Sequence, residues 1–204
     1  MAKKYKQFRI QSSAAQVDTV VIPEQNTKQI LIETIWMYAG HANDIVKFYP
    51  AKLAGKTTLV TAVTTAGTTC NLTGDAGVKN TLNGVAVAAA DFVLLATASG
   101  YELFEISSVD AAGANGVITI NGITFNDGIA NFSDAAPANA TAYVIWAEDV
   151  AQFAAGSISV ATQQTPLKDF WAGNLGHPVA MSHVGGGAAL HYSNGIAKYV
   201  EQIG

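Results

Sequence analysis

The stretch Val117-Ile118-Thr119-Ile120-Asn121-Gly122-Ile123-Thr124-Phe125 carries the strongest structural signal in the chain. Isoleucine, valine and threonine crowd both sides of Asn121-Gly122, the β-branched composition of a half-buried strand. Asn-Gly supplies the two positive-φ positions that a two-residue type I′ hairpin demands. Folded about that tip, Ile120 faces Ile123, Thr119 faces Thr124 and Ile118 faces Phe125. Apolar pairs then share one face and threonines the other. This reading predicts a tight hairpin with Asn121 and Gly122 at its tip.

Outward from that point the pattern stays β. Asp91 to Thr97 and Tyr101 to Ile106 flank Ser99-Gly100 as a second hairpin. Glu102 and Glu105 fall on opposite sides of the second of these strands, which predicts an edge or bulge near one of them. Thr141 to Trp146 is a further strand. Gln29 to Tyr38 is apolar at both parities except Glu33 and Thr34, as in a central strand covered on both sides. The turn Gly40-His41-Ala42-Asn43 leads into Ile45 to Tyr49, which Pro50 stops. Shorter strands are expected over Leu59 to Val63, Pro178 to His183, Ala188 to Tyr192 and Ile196 to Val200, the last after a turn at Ser193-Asn194-Gly195. Glu148 to Ala155 offers one helical turn. The fold class is all-β.

Composition agrees. Of 204 residues, 50% are hydrophobic and 13% charged, with a formal charge of −4, which supplies a core and argues against disorder. The 35 Ala, 19 Gly and 18 Thr displace the Lys, Glu, Leu and Arg of long surface helices. No run of about 18 apolar residues reads as a membrane span. Cys70 is the single cysteine, so no intrachain disulfide forms. The basic start Met1 to Lys6 has no apolar stretch behind it and does not read as a secretory signal. The sequons at Asn71, Asn131 and Asn139 then read as turn residues.

Charge changes sign along the chain. Residues 1–66 carry eight basic and four acidic groups, whereas residues 67–150 set Lys79 against nine acids, a net of −8. Residues 151–204 are balanced. Together with the local hairpins this suggests a host β-sandwich built from 1–66 and 151–204, with 67–150 inserted as a small barrel-like all-β domain. One continuous sandwich is the rival. Lys3, Lys4, Lys6 and Arg9 form either a frayed terminus or a partner-binding arm for an acidic surface.

Gly55-Lys56-Thr57 has Pro50 where a phosphate-cradling loop requires its first glycine. There is no Gly-x-Ser-x-Gly elbow and no His-Glu-x-x-His pair. His41, His177, His183 and His191 have no spacing that makes their side chains converge on a metal. Asp127-Gly128 followed by Asp134 lacks an EF-hand's alternating ligands. Beyond residue 9 basic groups are too sparse for a nucleic-acid surface. The expectation is no enzyme, no cofactor, no metal, and neither nucleic acid nor membrane as partner. Trp36 and Trp146 sit in apolar strands and read as core; Trp171, in Lys168 to Asn174, is open between sugar contact, subunit contact and loop anchor.

The chain resembles the β-sandwich capsid decoration (cement) proteins of tailed bacteriophages. The residues that carry the resemblance are Ile30 to Tyr38, Gly40-His41-Ala42-Asn43, Ile45 to Tyr49, Leu175-Gly176-His177-Pro178-Val179, Ala188 to Tyr192 and Ser193-Asn194-Gly195. An Ala/Gly/Thr-rich composition and a short basic arm go with them. The resemblance implies a structural protein, homotrimeric about local threefold axes. It would be assembled in the host cytoplasm onto the virion exterior, with the major capsid protein or other shell subunits as partners. A tail, baseplate or head-fibre component and a carbohydrate-binding adhesive module are the alternatives.

Overall fold

The computed structural model describes residues 5–13, 18–22, 28–39, 45–125, 129–154, 161–172, 177–184 and 192–203. The chain divides into two compact units, Met1–Pro50 with Val150–Gly204, and Ala51–Asp149.

Among the described residues the first unit has eight strands. They are β1 (Tyr5–Ser13), β2 (Asp18–Ile22), β3 (Lys28–Ala39), β4 (Ile45–Pro50), β13 (Ala151–Ala154), β14 (Ala161–Ala172), β15 (Val179–Val184) and β16 (Tyr192–Ile203). One sheet runs β1-β16-β3-β14 and the other β13-β4-β15-β2. Numbering the unit's own strands from one to eight, the orders are 1-8-3-6 and 5-4-7-2. That is the strand order of an eight-stranded jelly roll, the double-sheet solution to covering apolar strands on both faces. The apolar stretch at Gln29 to Tyr38 forms most of β3, paired on one side with β16 and on the other with β14, the central place its two-sided pattern predicts. Pro166 sits in β14, an edge strand, the place in a sheet where proline is tolerated. In the second sheet Phe48, Tyr49, Val179, Ala180 and Met181 are buried, and Tyr49 Oη shares a buried hydrogen bond of 2.9 Å with Ser182 Oγ.

The second unit holds β5 (Lys56–Thr58), β6 (Cys70–Thr73), β7 (Thr81–Leu82), β8 (Val85–Ala86), β9 (Phe92–Ala96), β10 (Tyr101–Val109), β11 (Val117–Thr124) and β12 (Thr141–Ile145). Six of them form a sheet in the order β5-β12-β9-β10-β11-β6. Its two edges meet: Leu59 bridges Leu72, and Val60 N–H donates to Asn71 O at 2.8 Å. The curl encloses Leu72, Val93, Leu95, Phe104, Ile106, Ile118, Ile120 and Val144, all buried. The unit begins at Ala51 rather than at residue 67, because Lys56–Thr58 pairs with β12. Leu59 to Val63 is not a strand but two isolated bridges, Leu59 to Leu72 and Val63 to Ala136.

The predicted tip at Asn121-Gly122 is wrong. β11 runs unbroken through both residues, pairing with β6 on one side and β10 on the other. Gly122 lies opposite Ser108, with register shifts on both sides of that pair, and neither Asn121 nor Gly122 has a positive φ. A bulge of this kind moves the inward parity from Ile118 and Ile120 to Ile123. An intervening two-residue turn produces the same apolar spacing, which is why the sequence misleads. The type I′ tip belongs instead to Asn83-Gly84, with φ of 51° and 79°, joining β7 to β8. The turn expected at Ser193-Asn194-Gly195 is likewise strand, since these residues pair with β1 within β16. The hairpin at Ser99-Gly100 is present, with Ala96 opposite Tyr101. Ala147–Asp149 is a single 3-10 turn, and the strand β13 follows where the helical turn was expected to continue. The turn at 40–43 and residues 188–191 of the expected strand Ala188 to Tyr192 lie outside the described residues.

Candidate functional site

Five of the nine acids between residues 67 and 150 accept backbone N–H groups at turns. The Asp75 carboxylate takes Asn83 N–H at 2.8 Å and Gly84 N–H at 2.7 Å, holding the β7–β8 tip. Asp91 takes Ala88 N–H and Ala147 N–H, each at 2.9 Å, and so fastens the turn before β9 to the end of β12. Asp110 accepts from Ala112 N–H at 2.8 Å. Glu102 and Asp134 hold one segment together. Glu102 Oε1 accepts Ser133 N–H and Asp134 N–H at 2.9 Å, and Ser133 Oγ–H donates to the same oxygen. Asp134 accepts Ser99 N–H at 2.8 Å and Ser99 Oγ–H at 2.5 Å.

That segment stops one end of the barrel core. Phe132 is 1% exposed and meets Phe104 edge-on at 5.3 Å between centroids, with Phe125 at 6.2 Å. Ala66 N–H and Phe132 N–H exchange bonds with Phe132 O and Gly67 O at 2.9 Å. Ser133 also lines a hollow of about 70 Å³ with Phe125, Ile129 and Asn131. The hydroxyl of Ser99, then other donors around it, lowers the Asp134 carboxyl to about 2. Burial pushes the Cys70 thiol up to about 12. Glu102 is 8% exposed, and its Oε2 is the one buried side-chain polar atom without a hydrogen-bond partner among the described residues.

Sequence reasoning placed an edge or bulge near Glu102 or Glu105. Glu105 does adjoin the β10 irregularity, pairing with Thr124 just before it. Glu102 is the surprise: it shares the inward parity of Phe104 and Ile106 and is buried. Only the return of Ser133 and Asp134, 31 and 32 residues later, gives it donors, and no local pattern announces that.

The four basic residues singled out as a partner-binding arm divide. Lys6 and Arg9 are strand residues of β1, opposite Tyr199 and Ile196, so this half of the arm is sheet backbone. Lys3 and Lys4 lie outside the described residues. Trp171 is also in a strand, opposite Ile32 in β14. The loop-like character of its surroundings comes from Leu167 to Phe170, where four residues stand against Glu33 alone. Trp146 is 8% exposed in the barrel core, its Nε1–H donating to Ala86 O at 3.0 Å. His177 is buried, and His183 pairs in register with Asp18 and Val46. His41 and His191 lie outside the described residues. Among the described residues no three metal-ligating side chains gather.

No family model matches the chain, and no curated protein does. In structure it is weakly similar to the VP16-VP17 complex, a complex of the two major capsid proteins of bacteriophage P23-77. There the identity is 8%, 98% of this chain and 100% of the other are covered, and the TM-score is 0.25. Against VP17, a capsid protein of the same bacteriophage, identity is 10%, coverage 100% and 98%, and the TM-score 0.22. The infectious bursal disease virus VP2 subviral particle gives 9% identity, 98% and 42% coverage, and a TM-score of 0.13. At scores of this size the fold rests on the strand order itself.

Proposed function

We propose that the chain is a non-enzymatic structural protein of a virion, mounted on the capsid exterior, where it decorates the shell and bridges neighbouring subunits. The observation that carries the reading is the strand order of the host unit, an eight-stranded jelly roll with a whole barrel set into one connection. Jelly rolls build viral capsid and lectin domains alike, and a fold by itself assigns no function. The sequence resemblance to capsid decoration proteins favours the first. The host unit then faces the shell as a homotrimer. Repeated weak contacts about a closed ring give avidity without any single strong site. Apolar burial supplies the holding energy, and Lys3, Lys4, Lys6 and Arg9 steer the approach to an acidic shell.

The test mixes purified chain with empty shells that lack it and follows co-sedimentation, with mass in solution measured alongside. Trimers that saturate the shell and raise its disruption temperature are expected. Changing Lys3, Lys4, Lys6 and Arg9 together to Ala should weaken binding most at low salt, where screening is least, while the circular dichroism spectrum stays unchanged. Full occupancy by that variant removes the basic residues from the mechanism. A chain that ignores shells but binds glycans, and loses them on Trp171→Ala, is an adhesive module instead.

A further inference from the structure

The chain holds four Asn-Gly dipeptides, at 83–84, 115–116, 121–122 and 194–195. Asn-Gly is the sequence most prone to spontaneous deamidation, because no side chain on the second residue shields its nitrogen. The glycine nitrogen, giving up its proton, bonds to the asparagine side-chain carbon, and the side-chain nitrogen leaves as ammonia. Water then opens the five-membered succinimide at either carbonyl, to aspartate or to isoaspartate. The reaction needs a free side chain and a backbone that can bring the two atoms together.

Three of the four sites are restrained. Asn83 Nδ2–H donates to Ala54 O at 2.5 Å, and the Asp75 carboxylate takes both Asn83 N–H and Gly84 N–H. A carboxylate bound to Gly84 N–H also opposes the loss of its proton. Asn121 is held extended within β11, and Asn194 within β16, paired with Gln11 on one side and Tyr38 on the other. Asn115 differs. Like Asn121 it is exposed with a side chain hydrogen-bonded to no other described residue, but it lies in the turn before β11 and not in an extended strand. Gly116 follows with φ of 79° and donates to Val78 O at 2.7 Å, the one restraint on the attacking nitrogen.

We propose that Asn115 is a modification site, the position at which this chain ages first by deamidation to isoaspartate. The change adds a negative charge and a backbone methylene. The longer backbone displaces Gly116 from two bonds, its own to Val78 O and the one its carbonyl accepts from Gly74 N–H at 2.8 Å.

The experiment ages the full folded chain in mildly alkaline buffer, maps peptides by mass and measures isoaspartate with an isoaspartyl methyltransferase. Isoaspartate should build up at 115–116 ahead of the other three dipeptides. Asn115→Gln should remove most of the methyl acceptor, whereas Asn83→Gln should leave it. Gly74 and Gly116 amides should exchange faster in the aged protein. Chain aged in urea, where all four sites are free, supplies the reference rates. If Asn83, Asn121 or Asn194 converts first in the folded chain, or if Asn115 stays intact while urea releases it, the proposal fails.

Discussion

Gly84 and Gly122 each follow an asparagine, and the fold assigns them opposite tolerance to a side chain. At Gly84 the backbone has φ of 79°, and a Cβ placed there would meet nothing within 4 Å. The penalty for Gly84→Ala is therefore conformational alone. A left-handed L-residue costs roughly 1–2 kcal/mol, partly offset by the smaller backbone entropy of the unfolded alanine chain, leaving about 1 kcal/mol. Valine, β-branched, should cost about 2 kcal/mol. At Gly122 the φ is not positive, and the Cβ would lie 3.1 Å from Ser108 Oγ and 3.4 Å from Ser107 Cβ. A hydroxyl can rotate away, and the entropic gain of about 0.5–1 kcal/mol opposes the crowding. Gly122→Ala should thus fall within about 0.5 kcal/mol of the parent. Urea unfolding read from Trp146 fluorescence, with Trp36 and Trp171 replaced by Phe, isolates the barrel. Trp146 suits the purpose because it bonds to Ala86, two residues beyond Gly84. In thermal melts the Gly84→Ala loss corresponds to about 4–8 °C for a domain of this size. A Gly122→Ala chain that loses more stability than Gly84→Ala would refute the assignment of strand and tip.

Cys70, its thiol pushed up to about 12 by burial, should resist a thiol reagent at neutral pH in the folded chain and react only as the barrel opens, which a mass-shift time course checks. Glu102→Ala strands the N–H groups of Ser133 and Asp134 and should cost about 2 kcal/mol in urea unfolding. Glu102→Gln retains an acceptor oxygen and should recover most of it; equal losses for the two would remove the acceptor argument. The folded Asp134 carboxyl, lowered to about 2 from 3.8, favours the folded state above its unfolded value, and that contribution disappears as pH falls through about 2. The Ser99 amide resonance should follow that titration and stop doing so in Asp134→Asn. Residues 51–149 expressed alone should give a dispersed amide spectrum; a collapsed one would show that the barrel cannot fold outside its host.

Much of this architecture was legible because it is local. The Ser99-Gly100 hairpin needs only two strands a turn apart, and the two-sided apolar run of β3 marks a central strand wherever its partners come from. Asn121-Gly122 was misread because inward parity at Ile118, Ile120 and Ile123 satisfies both a hairpin and a bulged strand. The decision belongs to β6, which pairs with Val117 to Ile120, and to β10, which pairs with Ile120 and with Gly122 to Thr124, and together they leave no room for a reversal. The Leu59–Leu72 closure and the Glu102–Ser133 bond were invisible for the same reason. Each joins segments that no periodicity relates.

The position of the insertion explains how the chain accommodates it. β4 and β13 are antiparallel neighbours in one sheet, with Phe48 opposite Ala151, so the barrel occupies the loop of a β-hairpin. The ladder already holds the two loop ends together, and a loop that folds on itself adds little to the closure cost. Within the barrel the Lys52 ammonium pairs with Asp149 close to those ends. This boundary also changes the meaning of the charge step. Ala51 to Asp149 carries Lys52, Lys56 and Lys79 against nine acids, and five of those acids accept turn N–H groups. Hairpins joined by short turns need such acceptors, and Asp supplies them. The excess of acid therefore has a local cause in the barrel's own turns. What distinguishes the unit is its scarcity of lysine and arginine, three against nine acids.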